Sequence, residues 1–107
     1  MKKIKNFFNR EQNLLIHIIA TIVVTFLGII FKIHIIEWVM VYFAVFLVIT
    51  SELLNSSIEL TVDLYTKEFN PLAMVAKDTS AGAVTISALI ALIIGIYVFL
   101  PRIICMF

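Results

Sequence analysis

The 107-residue chain predicts an all-α membrane protein, with three transmembrane helices behind a short amphipathic N-terminal segment. Hydrophobic residues make up 63% of it and the mean hydropathy is +1.13, well above the roughly half-apolar composition of a soluble domain. Those residues also gather into three stretches close to the ~18–20 needed to cross a hydrocarbon core. At this length the chain is one domain at most, read as a basic amphipathic arm over 1–13 and a three-helix transmembrane domain over 14–107. A net charge of +1 supplies no field that would draw nucleic acid. The single Cys105 excludes an internal disulfide or a cysteine-only metal site. With nothing electropositive beside it, its thiol is expected to be inert.

The arm carries Lys2, Lys3, Lys5 and Arg10 around Ile4, Phe7 and Phe8. It reads either as an interfacial segment, with apolar side chains at headgroup depth and lysines toward anionic lipid, or as a topology signal alone. No small-residue cleavage site follows, so a secretory signal peptide is not expected. Leu14–Phe31 forms the first span, with His17 as its polar exception, expected as an interfacial or packing residue rather than a ligand. Lys32–Glu37 reads as a tight polar turn, and Trp38 and Tyr42 as interfacial anchors. The second span, from about Ile36 to Leu54, passes without a break into an acidic segment. That helix should stop between Tyr65 and Pro71, where Asn70 before Pro71 is a turn signal. A third helix starts near Leu72 and crosses from about Ala81 to Leu100, ending before Pro101 and Arg102.

Glu52–Asp78 holds five of the seven acidic residues. At about 100° per residue, Glu52, Asn55, Glu59, Asp63 and Thr66 fall within an arc of roughly 80°. This row of oxygen ligands leaves the membrane on one helical face and suits Mg²⁺ and the phosphates it carries. On α-helical spacing, Ala81, Gly82 and Thr85 continue one face from Asp78 and read as a close helix-packing surface. Lys2, Lys3, Lys5, Arg10, Lys67 and Lys77 flank the spans on one side, Lys32 and Arg102 on the other. The larger group marks the cytoplasmic side, which places the acidic stretch in the compartment that contains ATP. No G-x-x-x-x-G-K-[ST] or G-x-G-x-x-G loop is present.

ELLNSSIELTVDL (52–64), followed by FNPLAMVAKDTSAGAV (69–84), resembles the signature of the small bacterial diacylglycerol kinase/undecaprenol kinase family of integral-membrane lipid kinases. REQNLLIH (10–17) is similar to that family's E-x-N-x-x-I-H. The resemblance implies a homotrimeric helical bundle in the bacterial inner membrane, with composite sites facing the cytoplasm. It implies ATP-dependent phosphorylation of a membrane lipid alcohol with Mg²⁺ as cofactor. The [FY]-x-P-L-A and A-K-D-x-x-A-G-A-V variants look closer to the undecaprenol branch, with diacylglycerol as the second substrate.

The same resemblance implies that Glu52, at the depth of a lipid hydroxyl, is the catalytic base, and that Glu11 and Glu59 hold the metal. Asn55, Asp63, Lys77 and Asp78 join Glu11 and Glu59 as nucleotide-binding residues. Lys is a point-charge binder of phosphate, and phosphoryl transfer requires such a charge beside the metal and base. Interhelical glue for Asn55, a solvated face for Asp63 and an ordinary positive-inside residue for Lys77 are the structural alternatives. Several positions depart from the pattern. Only ten residues precede Glu11, and Leu15, Asn70 and Met74 stand where the family often has Arg, His and Lys. A catalytically weak paralogue and a small channel remain as other classes. A channel requires its polar stripe to run through the bilayer, and this one sits mostly outside it.

Overall fold

The computed structural model describes residues 12–107 as three helices, α1 (Gln12–Phe31), α2 (Ile35–Tyr65) and α3 (Pro71–Met106). Each is long and apolar enough to cross a membrane, so the expected all-α, three-span architecture is the observed one. The basic arm, including Lys2, Lys3, Lys5, Arg10 and Glu11, lies outside the described residues.

The first turn is tighter than the sequence suggests. α1 closes with Lys32 in the left-handed region at φ 55°. The Ile33 N–H reaches the Gly28 carbonyl at 3.2 Å and the Lys32 N–H the Ile29 carbonyl at 3.3 Å, a Schellman closure of the last turn. His34 caps α2, and its backbone N–H donates to Glu37 Oε1 at 3.1 Å. Glu37 therefore belongs to the first turn of α2, where a carboxylate reaches back to an orphan amide. Trp38 lies over Gly28 so closely that a Cβ there would stand 2.6 Å from the indole ring. Trp38 stacks on Tyr42, whose hydroxyl is 2.9 Å from Thr25 Oγ1. These aromatics join α1 to α2 at the first turn, a packing role beside the interfacial position that the sequence suggests.

α2 runs unbroken for 31 residues, having no Gly or Pro to interrupt it. Thr66 lies just past its end as the C-cap, so the helical part of the acidic stripe stops at Asp63. Asn70 caps α3, its Oδ1 accepting from Leu72 N at 2.9 Å and Ala73 N at 3.2 Å, with Pro71 in the first turn. α3 does not end before Pro101 but continues through it to Met106. Proline forfeits one backbone bond, yet Arg102 fixes the segment beyond it. Its guanidinium donates to Val98 O at 2.7 Å and to both Glu37 oxygens at 2.6 and 2.5 Å.

α2 and α3 are antiparallel and form the main packed pair, with α1 laid against α2 over a smaller area. The face α3 turns to α2 runs through Ala73, Lys77, Ser80, Val84, Ser87, Ala91, Ile94 and Val98, all buried or half-buried. This alternation of three and four residues is the seam of a left-handed helix pair. Ala81, Ala83 and Thr85 are exposed and a Cβ on Gly82 would meet nothing within 4 Å. Within the protomer, the small-residue run is therefore not the packing surface the sequence suggests. Ile33, Val41, Val98 and Phe99 form the apolar core near the first turn. Lipid tails are as apolar as leucine and give helices little hydrophobic drive to associate. Close packing and interhelical polar bonds consequently set the register of the seam.

Candidate active site

Those polar bonds concentrate on the half of the α2–α3 seam away from the core. Glu52 is buried, 5% exposed, in the middle of α2. His17 Nε2, on α1, lies 3.4 Å from its Oε1. Ser51 and Ser87 join α2 to α3 through hydroxyls 2.6 Å apart, and Ser56 is buried one turn beyond Glu52. An uncompensated carboxylate at such a position is costly, and the surrounding hydroxyl and imidazole groups make this stretch of the seam polar.

Further along, Asn55 Oδ1 accepts from Ser80 Oγ at 2.6 Å, and Ser80 Oγ is also 2.9 Å from the Lys77 carbonyl. The other end of the same amide, Nδ2, donates to Glu59 Oε1 at 3.4 Å. Asn55 thus acts as interhelical glue and at the same time orients Glu59. At the outer end Lys77 Nζ is 2.6 Å from Asp63 Oδ1. Both line a groove of about 250 Å³ with Thr66, Lys67, Asn70 and Asp78. The groove is roomy and carries a lysine ammonium paired with the Asp63 carboxylate.

Glu52, Asn55, Glu59 and Asp63 therefore descend one face of α2; from α3 Lys77 pairs with Asp63, and the exposed Asp78 lines the adjoining groove. The one candidate outside this arrangement is Glu11, which lies outside the described residues. Among the described residues no three His, Cys, Asp or Glu side chains converge as a metal cluster. Glu59 is half-buried, with Oε1 accepting from the Asn55 amide, and its carboxylate is the hard-oxygen donor that fits Mg²⁺, which commonly takes one or two carboxylates and completes its shell with phosphate and water. His17, Ser51, Ser80 and Ser87 are the contributors that sequence reasoning missed. Their signals were present: His17 closes the REQNLLIH motif, and Ser80 and Ser87 repeat at seven residues in register with Lys77. A buried carboxylate, a second carboxylate of the type that suits a metal and a lysine ammonium are the kinds of group that phosphoryl transfer uses.

The prokaryotic diacylglycerol kinase family model matches residues 1–99. The undecaprenol kinase of Bacillus subtilis is 42% identical over 92 residues, covering 86% of this chain and 75% of that protein. The diacylglycerol kinase of Synechocystis sp. is 45% identical over 56 residues, which covers 51% of this chain and 32% of the relative. That of Helicobacter pylori is 47% identical over 47 residues, covering 44% and 37%. The chain spans about a third of each of these last two proteins.

Proposed function

The chain belongs to the prokaryotic diacylglycerol kinase family and is a multi-pass membrane lipid kinase that uses ATP, and on that premise we propose that its substrate is a long-chain polyprenol, undecaprenol. The observation that carries the choice of lipid is the 42% identity to an undecaprenol kinase over 86% of the chain. The diacylglycerol kinases share only about half of the chain or less, so diacylglycerol is the second reading.

In this mechanism Glu52, buried on α2, sits at the depth of a lipid hydroxyl and is the general base. The hydroxyl oxygen bonds to the γ-phosphorus of ATP while the bond from that phosphorus to the bridging oxygen breaks. ADP leaves with the electron pair, and the hydroxyl proton ends on the Glu52 carboxylate. Lys77 binds phosphate oxygens from the α3 side, exchanging the Asp63 carboxylate for them. Asp63 and Asp78 border the nucleotide groove, and Asn55 holds Glu59 in place. Glu59, with Glu11, would hold Mg²⁺, which neutralises charge on the transferring phosphoryl group.

The site is read as shared between copies in a homotrimer, and what supports sharing is that the protomer leaves most residues of each span unburied. Lys67 and Lys77 lie at the end of the bundle opposite Lys32 and Arg102, as a bacterial inner-membrane protein with its site facing the cytoplasm requires. Purified protein in lipid vesicles, given labelled ATP and either undecaprenol or diacylglycerol, tests the substrate. Undecaprenol should be phosphorylated with the higher kcat/KM, and a preference for diacylglycerol would reverse the assignment.

A further inference from the structure

We propose that His17 is a positioning residue for the catalytic base, holding the Glu52 carboxylate with one oxygen turned to the substrate. This rests on the reading of Glu52 as base. His17 Nε2 lies 3.4 Å from Glu52 Oε1, across the α1–α2 interface. Among the described residues no other basic nitrogen comes within 4.0 Å of that carboxylate. The Glu52 side chain is 7% exposed and that of His17 28%, so solvent screens the pair weakly. The contact is not a hydrogen bond as it stands; a small approach and rotation of the imidazole would make it one, and catalytic bonds commonly tighten only when substrate is bound.

The surroundings favour such a role over simple filling of space. Thr21 Oγ1 donates to the His17 carbonyl at 2.7 Å, tying the backbone beneath the imidazole. His17 also borders a cavity of about 180 Å³ between the three helices, whose walls include Ala20, Val24, Val41 and Val48. His17 and Thr21 are the polar side chains of an otherwise apolar chamber, and a contact in such a medium is stronger than in water. With Nε2 engaged on Oε1, rotation of the carboxylate is restricted and Oε2 is left to accept the proton of the lipid hydroxyl. The placement of a carboxylate relative to its reacting proton is worth a large rate factor, about 10²-fold for a displacement near 1 Å.

The test uses the full chain in lipid vesicles with Mg-ATP and undecaprenol, comparing His17→Leu, His17→Asn, His17→Gln and Glu52→Gln. Retained helicity and oligomeric state serve as the folding control. His17→Leu should lower kcat by about 10²-fold while the KM for Mg-ATP stays near that of the wild type. Gln places an amide N–H near the reach of imidazole Nε2 and should recover most of kcat, whereas the shorter Asn should not. Wild-type kcat in His17→Leu, an equal loss in all three variants, or a loss confined to KM for Mg-ATP would each overturn the positioning role. The base assignment is read separately: wild-type turnover in Glu52→Gln removes Glu52 as base, whereas a dead Glu52→Gln beside an active His17→Leu removes only His17.

Discussion

Glu52 and Glu59 stand two turns apart on α2, about 10 Å along its axis, and in the proposed mechanism their different surroundings divide the work between them. Glu52 is buried against an imidazole, while Glu59 is half-buried beside an amide, one turn before the Asp63 that lines the groove. Glu52→Gln should bind Mg-ATP nearly as the wild type does but transfer phosphate to lipid about 10²–10⁴-fold more slowly. Glu59→Gln should lose nucleotide affinity and turnover together. Nucleotide titration beside labelled-phosphate transfer separates the two, and the reverse pattern would exchange their roles. Asn70 shows a different kind of residue effect. Sequence alone read it as a turn signal and as a departure from a family histidine; in the structure its Oδ1 caps two amides of α3. Asn70→Ala should therefore cost about 1 kcal/mol, seen as a lower melting temperature in detergent. The acidic stripe was legible because its residues share one face of one helix. The partners of that stripe were not, because Ser80 and His17 come from other helices and no local pattern says which face those helices turn inward.

The helices themselves were largely legible, since long apolar runs and the Asn-Pro turn signal are local properties. Their ends and faces were less so. Pro101 reads as a stop, but the Arg102–Glu37 tie links the far ends of α2 and α3 and carries the helix past it. That contact joins residues 65 positions apart, beyond the range of any capping rule. The turn between α1 and α2 gives two opposite expectations. A non-glycine residue in the left-handed region is strained by about 1 kcal/mol, so Lys32→Gly should raise the melting temperature. Gly28→Ala should lower it, at a cost of about 1–3 kcal/mol, because the added methyl must displace the Trp38 ring. A smaller residue at 38 should recover part of that loss. Thermal unfolding followed by far-ultraviolet circular dichroism reads all three variants.

Across the whole molecule, the charged ends define an orientation that labelling can read. Cys105 is exposed at the Arg102 end and Glu68 is exposed in the turn at the Lys67 end. An impermeant thiol reagent should modify Cys105 on intact cells. In a Cys105→Ser background, Glu68→Cys should react only after the cells are opened; labelling before opening would invert the topology and separate the site from cytoplasmic ATP. The unbroken length of α2 has a mechanical consequence as well. Its 31 residues extend about 46 Å at 1.5 Å per residue, against a hydrocarbon thickness near 30 Å. Glu52 is thus mounted on a stiff rod whose height above the acyl chains is set by tilt. A thinner or thicker bilayer tilts or sinks such a rod at modest energetic cost, raising or lowering the carboxylate relative to the plane where lipid hydroxyls lie. On the proposed mechanism, turnover in vesicles of graded acyl-chain length should pass through a maximum with KM for Mg-ATP nearly constant, membrane thickness then adjusting the height of Glu52 and leaving the groove beside Lys77 untouched.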